Sequence, residues 1–362
     1  MGKIAYNLPR MNCRTGPSGI IGTSNPKHTI KRMATAIRSP KGIQLGDINI
    51  ISTFILKSLI KLPNMTPEKA ASILNPADKQ NVPKAINLLE SLIDLGKLNF
   101  HRETPANFYK LKRTAFLGQI FSLFLLPFVD VRMSLSIQIR SLSTYAHLLT
   151  ALYYKHRTAF ISSALYIDTQ SIVKNIILTT ARLQGQDKTF KYFILHEGMD
   201  RLENLFSYAR MHNHACNFDI LQLSLKLGIA AECCAIYERH PDLDCGHIQR
   251  NLVGARGVDH INPKSWIGDV CVGHVQIAKE YLAGRAEAIK LLNQEFENFS
   301  FVDFDSMFSD PDVDHLRPFK NKAYVGLGRD DTDDIEIDKS NQLAQADDNE
   351  FHDEIDSDLA DE

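Results

Sequence analysis

Two carboxylates three residues apart, Asp200 and Glu203, open a stretch whose apolar residues Leu202, Leu205, Phe206 and Ala209 fall on one helical face. Side chains at that spacing are neighbours on a helix, about 5–6 Å apart at Cβ, and carboxylates near a positive helix end are favoured. The pair can cap the helix or grip a cation. Gly198 breaks the chain just ahead of it, after an apolar run that starts at Phe190. Far upstream, residues 25–32 read Asn-Pro-Lys-His-Thr-Ile-Lys-Arg, and Lys27, His28, Lys31 and Arg32 make a basic cluster. Basic residues gathered in one place can meet phosphates, or can simply form a solvated face.

The run from Asp200 to Arg210, D-x-L-E-N-L-F-x-x-x-R, resembles the last acidic motif of P-element-type and THAP-type DNA transposases. In that family a D-x-x-E pair opens the final helix of an RNase H-like catalytic core. The resemblance implies that Glu203 is the third metal-binding acid, with Asp200 beside it. Residues 25–32 are similar to the family's D-x-x-H-L-x-K segment, of which His28 and Lys31 keep the residue types while Asn25 and Thr29 depart from it. Asn25 thus replaces the family's second acid. An amide offers one neutral oxygen where a hard divalent cation prefers anionic ones. The first acid should lie well upstream, and no Asp or Glu precedes Asn25. Residues 74–89 look like part of the family's helical insertion, and residues 19–290 as a whole resemble transposon-derived proteins of mushroom-forming fungi. The insertion is associated with guanine nucleotides in some members, yet no G-x-x-x-x-G-K-[ST] loop is present here to cradle phosphates.

The resemblance therefore implies a transposase-like protein whose strand-transfer chemistry is lost. No cofactor is expected beyond Mg2+ should any activity remain, held by Glu203 and Asp200. Lys27, His28, Lys31, Arg32 and Arg210 are the expected nucleic-acid contacts. DNA is the expected partner, a second chain could supply missing core, no membrane is involved, and the nucleus is the expected location. A different reading is an all-α interaction or scaffold module without a nucleic-acid role, and a third is a decayed gene fragment.

The elements that would position these residues are mostly helical. A short strand is predicted at Gly19–Thr23, ending in the Asn25-Pro26 turn, followed by a helix from His28 to Ile37. Ile48, Ile51, Ile55, Leu59 and Leu62 predict a helix over 46–62, stopped at Pro63. Thr66-Pro67 caps another. A further helix runs from Val82 to Leu95 and ends at Gly96. The pair suggests a helix-turn-helix, but the second helix offers Lys84 as its only base beside Glu90 and Asp94, so packing is the plainer reading. Helices follow over 107–126, 134–153 and 162–183, the first two divided by Pro127. Asp168 and Lys174 read as ordinary polar-face residues. Beyond Arg210, helices are predicted on either side of Gly228, and residues 257–274, with the single Trp266, form a turn-rich cover. A long helix spans His274–Glu295 with Ile277, Tyr281, Ala288 and Leu291 inward. His212, His214, Cys216, His240, Cys245 and His247 raise a zinc reading, but H-x-H-x-C fits tetrahedral ligand spacing poorly.

Composition bounds the rest. The 362 residues are 44% hydrophobic and 23% charged, enough for one large core or two modest ones. Six scattered cysteines, two of them adjacent, argue against a disulfide framework and for a reducing compartment. Met1–Leu8 lacks the apolar segment of a signal peptide, and the apolar run 115–129 is too short to span a membrane. The net charge of −2 hides an asymmetry: residues 330–362 carry 15 acids against one lysine, a balance of −14 that leaves +12 for residues 1–329. Such a tail is expected to be disordered, either as a solubilising terminus or as a partner-binding or self-masking segment. The fold class that follows is mainly α: an incomplete RNase H-like α/β remnant with a large all-α insertion and a disordered acidic C-terminal tail. Its expected divisions are a basic N-terminus (1–18), the core remnant (19–45), the insertion (46–185), C-terminal core helices (186–300), a linker (301–329) and the acidic tail (330–362).

Overall fold

In a computed structural model the chain is mainly helical, with a single two-stranded hairpin among the described residues. Residues 22–77, 81–100, 103–199, 205–206, 208–209, 219–240, 266–296, 314–316 and 318–319 are described, together with Leu8 and Met11. The first helix, α1 (Pro26–Arg38), starts where Asn25 caps it with a proline behind, and it buries Thr29, Ile30, Met33 and Ile37. Ahead of it Gly22 and Thr23 lie in no regular element, and the rest of the predicted strand, residues 19–21, lies outside the described residues.

Residues 46–50 depart from the helix expected over 46–62, and residues 43–50 pair as a hairpin. They form β1 (Ile43–Leu45) and β2 (Ile48–Ile50), joined at Gly46-Asp47, and only then does α2 (Ser52–Leu59) begin. Ile48 and Ile50 alternate with Asn49, a period of two, and the spacing of Ile48 to Ile51 also fits a helix. The turn decides between them. Gly46 has φ +68°, and a Cβ there would lie 2.7 Å from the Phe296 ring, so only glycine suits the position.

The next helices follow their sequence signals closely. Thr66 caps α3 (Pro67–Ile73) and Asn81 caps α4 (Val82–Leu95), which stops at Gly96. A long helix α5 (Pro105–Val129) then runs straight through Pro127 rather than ending before it. Proline removes the N–H that would bond the carbonyl four residues back. Here the Ser141 hydroxyl donates to that carbonyl, Leu123 O, at 2.8 Å, and the Gln138 amide donates to Pro127 O at 2.8 Å. The neighbouring helix thus satisfies what proline leaves open.

That neighbour is α6 (Leu135–His156), the central helix, against which α5, α7 (Ser163–Gln186) and α9 (Ile277–Glu295) all pack. Phe121, Phe124 and Phe128 of α5 meet Tyr145 of α6 in a core that extends to Tyr166 and Tyr281. Between α7 and α9, α8 (Ile220–Arg239) passes unbroken through Gly228. Outside its own helix backbone, no heavy atom of the described residues comes within 4 Å of a Cβ built at Gly228, and the helix does not end there. The segment from Trp266 to Val275 lies over the helices as expected: Trp266 donates to Met133 O at 2.9 Å and Leu135 N–H to Asp269 O at 2.8 Å. Residues 257–265 and the acidic tail fall outside the described residues, as does the linker apart from 314–316 and 318–319.

Candidate functional site

Asn25 is almost fully buried at the start of α1, 7% exposed. Its Oδ1 accepts the Lys27 N–H at 3.0 Å, and its backbone carbonyl accepts the Thr29 hydroxyl at 3.1 Å. The cap accounts for the oxygen. The amide nitrogen Nδ2 is buried without a hydrogen-bond partner among the described residues. Across from it lies Gly198, the glycine that opens the acidic motif. A Cβ added to Gly198 would stand 3.2 Å from Asn25 Oδ1 and 3.7 Å from Pro26 Cδ. The two sequence segments singled out for their chemistry are therefore adjacent at this point.

A polar seam runs to either side. On one flank the Ser24 hydroxyl donates to Asp168 Oδ1 at 2.6 Å, and Arg32 pairs with the other carboxylate oxygen. On the other, Glu197 accepts the Asn175 amide at 2.5 Å and the Tyr192 hydroxyl at 2.6 Å. Asp168 and Asn175 are seven residues apart on α7, two turns and so one face, which is how a single helix serves both flanks. Burial, and then the Glu197 charge beside it, push the Tyr192 hydroxyl well above its ordinary pKa, so it stays a donor.

The donor set among the described residues does not suit a divalent cation. Asn25 offers a neutral oxygen already used as a cap, Asp168 is neutralised by Arg32, and Glu197 is occupied by two donors. No group of three His, Cys, Asp or Glu side chains among the described residues is placed to hold a metal. Asp200, Glu203 and Arg210 lie outside the described residues, while Leu205, Phe206, Tyr208 and Ala209 are helical as their spacing predicts.

The basic residues of α1 lie on its outer side: His28 is exposed, and Lys27, Lys31 and Arg32 are half-buried. Of these Arg32 is committed to Asp168. Sequence reasoning set Asp168 aside as a surface residue and did not single out Glu197. Asp168 meets Arg32 from 136 residues away, and Glu197 joins Asn175, 22 residues away, to the nearer Tyr192, pairings that no motif announces. Of the candidate zinc ligands only His240, exposed at the end of α8, is among the described residues. α8 itself leaves Ile220, Leu221 and Leu225 strongly exposed, and Ile220–Tyr237 is long and apolar enough to cross a membrane by length and composition. Comparison with known protein families, curated proteins and solved structures finds no match to this chain.

Proposed function

We propose that the chain is a transposase-like protein derived from a transposable element, an RNase H-like remnant carrying a helical insertion, which binds DNA in the nucleus without cutting it. One observation supports this reading above the others: Asn25 and Gly198, from two motifs 173 residues apart, lie side by side at the α1 N-terminus. In the transposases that the sequence resembles, these two motifs carry the second and third metal-binding acids, and Gly198 stands five residues ahead of Glu203. Here the second acid is Asn25, and a site stripped of that charge holds Mg2+ poorly. The nearby carboxylate Asp168 is tied to Arg32 and Ser24 and does not replace it. What remains is electrostatic: a body of net charge +12 over residues 1–329, with Lys27, His28, Lys31 and Arg32 gathered on one helix.

Binding to a labelled mixed-sequence duplex, followed by fluorescence anisotropy over a range of salt, tests this. Phosphate contacts make the logarithm of affinity fall linearly with the logarithm of salt, by about 0.9 per contact. The double variant Lys27→Ala, Lys31→Ala should lower that slope by roughly two. Absence of binding at low salt, or a slope that the double variant leaves unchanged, refutes it.

One feature favours a second reading, an interaction module. Leu221, Leu225, Ile229 and Ile236 form an exposed apolar stripe on α8, each at least 41% exposed. Apolar association is insensitive to salt, so the same titration separates the two readings.

A further inference from the structure

Residues 314–316 and 318–319, just ahead of the acidic run that begins at Asp330, lie against the helical body with His315 buried in it. His315 is 3% exposed and sits where α6, α7 and α9 converge. Its Nδ1 is 2.7 Å from the Thr150 hydroxyl, its Nε2 is 3.0 Å from the Tyr281 hydroxyl, and its carbonyl accepts the Tyr166 hydroxyl at 2.7 Å. Thr150 donates its own hydrogen to Ala146 O at 2.8 Å and accepts the Gln170 amide at 3.2 Å. Thr150 is then an acceptor toward the ring, so Nδ1 carries the proton and Nε2 accepts from Tyr281. Both ring nitrogens are satisfied by the neutral form.

We propose that residues 314–316 and 318–319 form a pH-released strap, docked while His315 is neutral and undocked when that imidazole takes up a second proton. The groups facing His315 give a second proton no welcome. From α6, the His147 ring lies edge-on at 4.6 Å, its Nδ1 bound to Ser143 O at 2.8 Å. From α9 come Tyr281 and the cationic Arg285, and from α7 Tyr166, a neutral phenol. The strap's own carboxylate, Asp314, accepts the Leu316 N–H at 2.8 Å. Glu280 on α9 is held by Arg140 at 2.6 Å. Burial first, then His147 and Arg285, hold the imidazole well below its ordinary pKa while it is docked.

The far end of the strap is held by surface contacts that do not titrate in this range. Phe319 stacks on Tyr154 at 5.5 Å between ring centroids and lies under the Arg157 guanidinium at 3.1 Å. Arg157 is placed there by its positive φ of 52° at the end of α6. His315 is therefore the pH-dependent fastening and Phe319 the pH-independent one.

The sign and size follow from linkage. The docked pKa is depressed below the free value of about 6.5, so docking is unaffected above that pH and weakens as pH falls. The docking equilibrium weakens by at most tenfold per pH unit below 6.5, which sets a limit of roughly 30-fold between pH 7.5 and pH 5.

Amide hydrogen exchange of the full chain, read by mass spectrometry over pH 7.5 to 5 and corrected for intrinsic rates, measures this. Wild-type protection at 314–319 should fall more than protection in α5, by up to roughly 30-fold, and His315→Gln should remove that pH dependence. Equal slopes in wild type and variant overturn the proposal. Should His315→Gln fail to dock at any pH, NMR titration of the wild-type imidazole decides. A neutral ring that protonates only together with loss of strap protection supports the strap, and titration near 6.5 with protection retained overturns it.

Discussion

Replacing Gly284 by alanine should loosen the protein's main helix pair. Gly284 lies on α9 where it crosses α6, and a Cβ there would fall 2.6 Å from both Arg140 O and Ser143 Cβ, and 2.8 Å from Ser143 Oγ. Ordinary contact distances are nearer 3.5–4.0 Å, so the helices must part by about 1 Å. Overpacking of this kind costs about 1–3 kcal/mol. Separation also strains the 2.8 Å bond from the Ser143 hydroxyl to Tyr281 O, which contributes about 1 kcal/mol. Alanine returns about 1 kcal/mol through helix propensity. The net is a loss of about 2 kcal/mol, a melting temperature lower by roughly 4–8 °C for a body of this size. Differential scanning calorimetry of both proteins gives the answer. A variant that melts at or above the wild-type temperature refutes the packing of α9 on α6, because propensity alone would then be left to act.

Three other outcomes are expected. Ser141→Ala should cost about 1–2 kcal/mol in denaturant unfolding, since it leaves Leu123 O without the hydroxyl that replaces the bond lost to Pro127. His156 accepts the Gly46 N–H at 3.1 Å, and burial, aided by Lys155, pushes its pKa down to about 4. A depressed folded value means that its contribution is whole above about pH 6.5 and lost as pH falls through 4. The full shift is worth about 3 kcal/mol, and roughly half of that survives solvent screening; a denaturation series should lose this pH-dependent term in His156→Gln. Asn25→Ala removes the α1 cap and should destabilise by about 1 kcal/mol, measurable in the same unfolding assay.

The helices were legible where a cap, a period and a stop coincided. Thr66-Pro67 marked the start of α3, and the apolar face from Val82 with the stop at Gly96 fixed α4 to the residue. Pro127 misled because its cost is a local rule while its remedy, Ser141 and Gln138, sits on another helix. Ile48 misled because four residues cannot separate a period of two from one of 3.6, and the glycine turn at Gly46 carried the deciding signal. Gly228 misled in the opposite sense, as an exposed glycine that costs a helix about 1 kcal/mol without ending it. At the site, the motifs drew attention to Asn25 and to the stretch that Gly198 opens, and Asn25 and Gly198 lie side by side, while Asp200 and Glu203 fall outside the described residues. Asp168, Glu197 and His315 stayed hidden, because a polar residue is singled out by partners that only the fold supplies.

The central claim is that this chain holds DNA and does not cut it. The most direct measurement incubates the full chain with a supercoiled and a linear duplex in Mg2+, beside Glu203→Ala, and follows both complex formation and strand scission. The account predicts a salt-sensitive complex of equal strength in the two proteins and intact DNA in both. Mg2+-dependent scission that Glu203→Ala abolishes would contradict it, and so would the absence of any complex at low salt.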